Sequence, residues 1–160
     1  MYIGRILESK PIAMSDFDTM AVVKVAREHL GTINEPRRRA ILENFIDHAA
    51  AEASGDYAAL MASCSKKKQE YATFGSEFGA PQSYEELEVH YRGLIESNIY
   101  MIHFEVEKLA VGDDVLFLEG IVHQLYPGNL LKPIFGFEVD DEAAVLDTRS
   151  LPQQARGAVR

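Results

Sequence analysis

His48, Glu70 and Tyr91 are the side chains of this sequence best placed to do chemistry. His48 falls on the stripe Ile41, Phe45, His48, Ala49 and Glu52 or Ala53, whose spacing is that of one face of a helix. Glu70 shares a face with Ala72 and Phe74 in a segment that alternates like a strand. Tyr91 recurs with Leu87, Leu94 and Ile95 at helical spacing, and His90 stands beside it. An imidazole and a carboxylate that meet in one cavity form an acid–base pair: the carboxylate orients the ring, and the ring titrates near working pH. The competing reading makes His48 a hydrogen-bonded core histidine, Glu70 a solvated strand end after three lysines, and Tyr91 a core aromatic. A buried His48 in either case needs a partner, because an unpaired polar group in an apolar lining costs about 1–3 kcal/mol. Tyr91 and Glu70 are the expected partners.

A second polar set lies further along. His103, Glu105 and Glu107 alternate on one strand, and Phe117, Glu119, Ile121 and His123 on the next. Imidazoles and carboxylates are good metal ligands. Apolar Phe117 and Ile121 share that face, however, so burial against a partner with cross-strand His–Glu pairs is the preferred reading, and no metal is expected.

Composition narrows the function classes. The chain has 160 residues, a net charge of −9, 47% hydrophobic and 26% charged residues. That suits a single globular domain and disfavours a nucleic-acid partner, since the local basic clusters are only Arg37-Arg38-Arg39 and Lys66-Lys67-Lys68. Both clusters read as solvated helix ends or loops. Cys64 is the only cysteine, which rules out a disulfide framework within one chain. No apolar run is long enough for a membrane span, and the opening MYIGRILESK lacks the apolar core of a secretory signal. A cytoplasmic location is the expectation.

The elements that must position these residues are marked by their punctuation. Residues 1–14 carry no period. Ser15 and Asp18 suggest a capping box for a helix running to Leu30, with Met20, Val23 and Leu30 apolar and Gly31 as its stop. Asn34 is the expected cap of a second helix, with Pro36 in its first turn. Ser54-Gly55-Asp56 breaks that helix, and Asp56 caps a short third one carrying Leu60, Met61 and Cys64. Ser83 and Glu86 form a capping box for the helix of Tyr91. From Met101 to Ser150 apolar residues recur at every second position, broken at Gly112-Asp113-Asp114, Tyr126-Pro127-Gly128 and Asp140-Asp141. This predicts a four-stranded meander. Segregated helices against an antiparallel sheet make an α+β domain, whose curved sheet with helices over its concave face would enclose an apolar cavity.

The phrase FIDHAAAEASGDYAALMASC resembles the opening of the nuclear transport factor two-like superfamily, whose SnoaL-like branch includes polyketide cyclases and whose other members include ketosteroid isomerases, scytalone dehydratases and limonene epoxide hydrolases. SYEELEVHYRGLI and VEKLAVGDDVLFLEG are similar to the capped helix and the first strands of the meander in those proteins. The resemblance covers roughly Pro36 to Leu151. It implies a cone-shaped, cystatin-like roll over 35–152, an extra N-terminal arm and helix over 1–34, and a loose tail over 153–160. In ketosteroid isomerases an oxyanion-hole tyrosine, a base aspartate and a neutral aspartic acid do the chemistry. His48, Ala72 and Phe135 stand at the matching places here, beside Gly75-Ser76-Glu77 and Pro133-Ile134 for the last two. Alanine takes no proton and phenylalanine donates no hydrogen bond, so that mechanism is disfavoured.

The same resemblance turns Ile102, Phe104, Leu116, Leu118, Val122, Phe135 and Phe137 inward, with Ala72 and Phe74. It turns His103, Glu105, Phe117, Glu119, Ile121 and His123 outward, toward a second copy in a homodimer. Two functions remain open. One is a SnoaL-like protein that binds a small hydrophobic molecule and performs cofactor-free acid–base chemistry, of isomerase, cyclase, dehydratase or hydrolase type, through His48 and Glu70. The other is a non-catalytic ligand-binding or dimerisation module with a filled core.

Overall fold

A computed structural model of the chain describes residues 12–67, 71, 80–127 and, as backbone, 144–147. The first helix, α1, spans Ala21–Leu30 and starts later than Ser15. The Ser15 hydroxyl bonds the Asp16 carboxylate instead of a backbone N–H. The Asp18 N–H, which a capping box would need, donates across the chain to His103 Nδ1 at 2.9 Å. Asp18 itself accepts from the Met20 N–H and from Lys24, so the helix forms only beyond it. Before α1, Met14–Asp16 make a single 3-10 turn.

Helix α2 spans Pro36–Ser54 with Pro36 at its start, but Glu35 rather than Asn34 is the cap; its carboxylate accepts from the Arg38 N–H at 2.7 Å. Gly55 ends the helix in the left-handed region at φ 67°, and the Asp56 N–H returns to the Ala51 carbonyl at 2.9 Å. Asp56 then caps α3, Tyr57–Ser63, by accepting from the Ala59 N–H. Helix α4 spans Tyr84–Glu96. The Ser83 hydroxyl accepts from the Glu86 N–H as expected, while the Glu86 carboxylate reaches one residue further out, to the Gln82 N–H. Asn98, at φ 57°, stops α4 and turns the chain into the sheet.

Strands β1, Ile102–Val111, and β2, Leu116–Tyr126, pair antiparallel, and β3, Ala144–Asp147, joins the other edge of β2 along His123–Tyr126. The sequence predicts a further strand between these last two, from the Tyr126-Pro127-Gly128 break to Asp140-Asp141. That stretch lies outside the described residues, as does the strand expected before Phe74 apart from Tyr71. Within the described sheet, the segment paired with β2 beyond β1 falls in the fourth expected strand. Among the described residues the architecture is α+β, with four α-helices and a three-stranded antiparallel sheet.

A register slip between Val106 and Lys108 matters for the site. Opposed residues share a face, so Ile102, Phe104 and Val106 lie with Gln124, Val122 and Gly120. Beyond the slip Leu109 and Val111 lie with Leu118 and Leu116 on that same face. The extra residue flips the parity of β1, which keeps one face apolar over the whole strand.

Helices α1 and α2 cover this face. Val23, Ala26, Leu42, Ile46 and Ala49 are buried together, with Leu109, Val111 and Leu116 packed against them. A second cluster joins α2, α3 and α4 through Ala51, Leu60, Met61, Leu87 and Tyr91. Helix α2 is thus buried on two sides. Its start is clamped by the arginines read as a solvated cluster. Arg38 pairs with Asp113 at 2.7 Å, Arg37 donates to the Asp113 carbonyl, and Arg39 donates to the Leu30 and Ile33 carbonyls. Among the described residues no helix is long and apolar enough to cross a membrane.

Candidate functional site

Between α1, α2 and the apolar sheet face lies a cavity of about 230 Å³. Thr19 and Val22 come from the N-terminal segment, Phe45, His48, Ala49, Glu52 and Ala53 from α2, and Tyr100, Ile102, Phe104, Leu118 and Val122 from the sheet and its approach. Each contribution has a local cause. Phe45, Ala49, Glu52 and Ala53 recur along one side of α2, and the left-handed Gly55 leaves room for Tyr100. A Cβ on Gly55 would lie 3.0 Å from that ring.

Of the residues expected to face inward, His48, Ile102, Phe104, Leu118 and Val122 do line this cavity. Leu116 is on the same face but packs into the α1–α2 core. Tyr91 is buried behind His48 rather than on the wall, and His90 is exposed. Glu70, Ala72, Phe74, Phe135 and Phe137 lie outside the described residues.

His48 has partners on both ring nitrogens. Ser63 Oγ–H donates to the Leu60 carbonyl at 2.6 Å, so its oxygen accepts from His48 Nδ1–H at 2.8 Å. Nε2 is then bare and accepts the Tyr91 hydroxyl at 3.1 Å, and the Tyr91 oxygen accepts from the Tyr71 hydroxyl at 3.1 Å. This assignment satisfies every group in the chain of bonds, with the donors aligned from Tyr71 to the Leu60 carbonyl. Burial pushes the imidazole below its usual range, which keeps it neutral. Desolvation likewise raises both tyrosines, so their protons stay in place.

Sequence reasoning missed the carboxylate of this site. Glu52 lies one turn after His48 on α2 and projects into the cavity, its side chain 27% exposed. Its Oε2 is 4.0 Å from His48 Nε2, too far for a hydrogen bond. Burial pushes its carboxyl above the usual carboxylate range. The signal was present in the four-residue step from His48, which places both on one side of a helix. Tyr100 had no such signal, because it comes from the non-periodic link after α4.

The raised carboxyl makes a stability prediction. Glu52 holds its proton to a higher pH in the folded chain than in the unfolded one. Its ionisation therefore costs stability as pH rises from the ordinary carboxylate range through its raised folded value. Glu52→Gln should stabilise the chain at pH 8 by about 1 kcal/mol, a rise of roughly 2–4 °C in Tm, and should lose that advantage at pH 4. Thermal melts at the two pH values check this; an equal shift at both would mean that Glu52 is not desolvated.

The opposite sheet face departs from expectation. His103 and His123 do point away from the cavity, but both are buried within the chain, His123 completely. For His103 the cover is the N-terminal segment. Its Asp18 N–H bonds His103 Nδ1, and the Phe17 ring lies 5.9 Å from the His103 ring. His123 Nε2 pairs with Glu105 at 3.2 Å, while its buried Nδ1 has no partner among the described residues. These two histidines are therefore not surface residues open to a second copy. Glu105, Phe117 and Glu119 are exposed, Ile121 is half-buried, and Glu119 pairs with Lys108 at 2.8 Å. Among the described residues no group of three or more His, Cys, Asp or Glu side chains is placed to hold a metal.

Fold and site together define an α+β domain whose helices close an apolar cavity with a carboxyl and a hydrogen-bonded histidine in its wall. No family model matches the chain, and no match is found among curated proteins or solved structures.

Proposed function

We propose that this is a SnoaL-like protein of the nuclear transport factor two-like superfamily that binds a small hydrophobic molecule in the cavity beside Glu52. What carries the reading is an open apolar cavity, about 230 Å³, with a desolvated carboxyl and a neutral imidazole 4.0 Å apart in its wall. Drug-sized sites enclose roughly 300–1,000 Å³, so this one suits a compact ligand. Helices α1 and α2 lie over one face of the antiparallel sheet, which supports a cone-shaped roll with α1 as an addition to it.

Within this reading Glu52, the carboxyl that the described wall contains, serves as the acid–base group. As the carboxylate it takes a proton from one atom of the ligand, and as the carboxyl so formed it returns that proton to another, which requires no cofactor. His48 is the positioning residue. Both its nitrogens are engaged, and it presents a fixed, uncharged ring beside Glu52. The filled-core alternative loses ground, because the cavity reaches His48. The exposed Phe117, 53% accessible, still supports association of two copies through the outer face around Glu105, Glu119 and Ile121, without His103 and His123.

A thermal-shift screen of small ketones, epoxides and polyketide-like aromatics tests the reading. A ligand present at a hundredfold its Kd should stabilise wild type by about 2.7 kcal/mol. Ala53→Leu, which fills the cavity wall, should abolish the shift, and His48→Ala should reduce it. Equal shifts in wild type and Ala53→Leu would remove the cavity as the binding site.

A further inference from the structure

Resting on the reading of this cavity as a ligand site, we infer that its ligand is a small apolar amine, held as the ammonium by the Glu52 carboxylate and the rings of Phe45, Tyr100 and Phe104. Charge in the lining points one way. Among the described residues Glu52 contributes the only carboxyl to the wall, and no lysine or arginine lines it. The basic ring in the described wall is that of His48, whose Nε2 is 4.0 Å from Glu52 and already accepts the Tyr91 hydroxyl. An anionic ligand would meet Glu52 with nothing to compensate it. A neutral ligand would leave Glu52 as it stands, partly desolvated and without a counterion among the described residues of the wall. An ammonium supplies the missing charge, and a partly buried pair gains more than one in water.

The remaining wall agrees with a cation on an apolar stem. Three aromatic rings, Phe45, Tyr100 and Phe104, share it with Val22, Leu118 and Val122. Ring faces attract ammonium groups, most strongly when water is excluded. Thr19 also lines the wall, and a threonine hydroxyl can accept an N–H. The chain's net charge of −9 also draws cations toward it.

Isothermal titration at pH 8 with three probes of one shape tests the inference: cyclohexylmethylamine, cyclohexylmethanol and cyclohexanecarboxylate. The amine should bind at least tenfold more tightly than the alcohol, and the carboxylate should not bind detectably. In Glu52→Gln the amine-to-alcohol preference should fall toward one. Phe104→Leu, which keeps the carboxylate, should lower that preference severalfold and serves if Glu52→Gln does not fold. An alcohol that binds as tightly as the amine, or a preference that survives Glu52→Gln, overturns the amine assignment and leaves the cavity a site for neutral ligands. Failure of all three probes to bind overturns both the assignment and the reading on which it rests.

Discussion

Gly120→Ala should be the most damaging small substitution in the sheet. Gly120 faces Val106 just before the register slip of β1. A Cβ there would be driven into the Glu105 carbonyl oxygen and would come within 2.7 Å of the Phe104 ring. The first obstacle is backbone and cannot rotate away, so the strands must separate or the slip must move. A cost of about 3 kcal/mol is expected, equivalent to a fall of roughly 6–12 °C in Tm. Gly112→Ala is the control. Its Cβ would meet chiefly the Val115 side chain at 3.1 Å, which can turn toward solvent. Urea unfolding of the two variants beside wild type decides the matter. If Gly120→Ala unfolds at the wild-type midpoint, the close crossing of β1 and β2 is wrong. Because Phe104 is both a neighbour of Gly120 and a cavity wall, the variant should also lose ligand binding in proportion to the disturbance.

Leu42→Ala should cost about 2–5 kcal/mol, whereas Ile41→Ala should cost about 1 kcal/mol. These adjacent residues distinguish the real orientation of α2 from the one its apolar stripe suggests. The stripe runs through Ile41, Phe45 and His48. In the structure Leu42 is completely buried and Ile46 nearly so, while Ile41 is half-buried. Leu42 sits in the cluster that holds α1 and the far ends of β1 and β2 together, so a void there has little chance of collapsing. Chemical denaturation of both variants gives the comparison directly. Equal losses would mean that α2 is rotated from the orientation described.

The misreading of α2 has a simple cause. A helix covered on one side shows one stripe, and its period reports its orientation. Helix α2 is covered by α1 and the sheet on one side and by α3 and α4 on another, with a cavity between its His48–Glu52 side and the strands. Three environments overlap on one 19-residue helix, and the half-polar cavity side reads like the core. The sheet shows a related effect. Alternation in β1 places His103 and Glu105 on one face and Leu109 and Val111 on the other, yet all four are odd positions. Only the slip near Glu107 reconciles them, and nothing local announces it.

What the sequence determined by itself is the set of features that close within a few residues. Asp56 and Ser83 cap their helices, Gly55 terminates α2 in a left-handed turn, and period-two apolar residues make β1 and β2 strands in an α+β arrangement. These depend on hydrogen bonds and sterics spanning one turn. The tertiary structure decided everything that depends on desolvation or on distant partners. Asp18 spends its N–H on His103, eighty-five positions away, and thereby delays α1 and helps to bury His103. Tyr91 and Ser63 assign the tautomer of His48. Glu52, an ordinary acidic residue on a helix stripe, becomes the chemical group of the cavity because α1, Tyr100 and the strands shut water away from it. Burial is set by whatever arrives from the rest of the chain, and no local spacing records that.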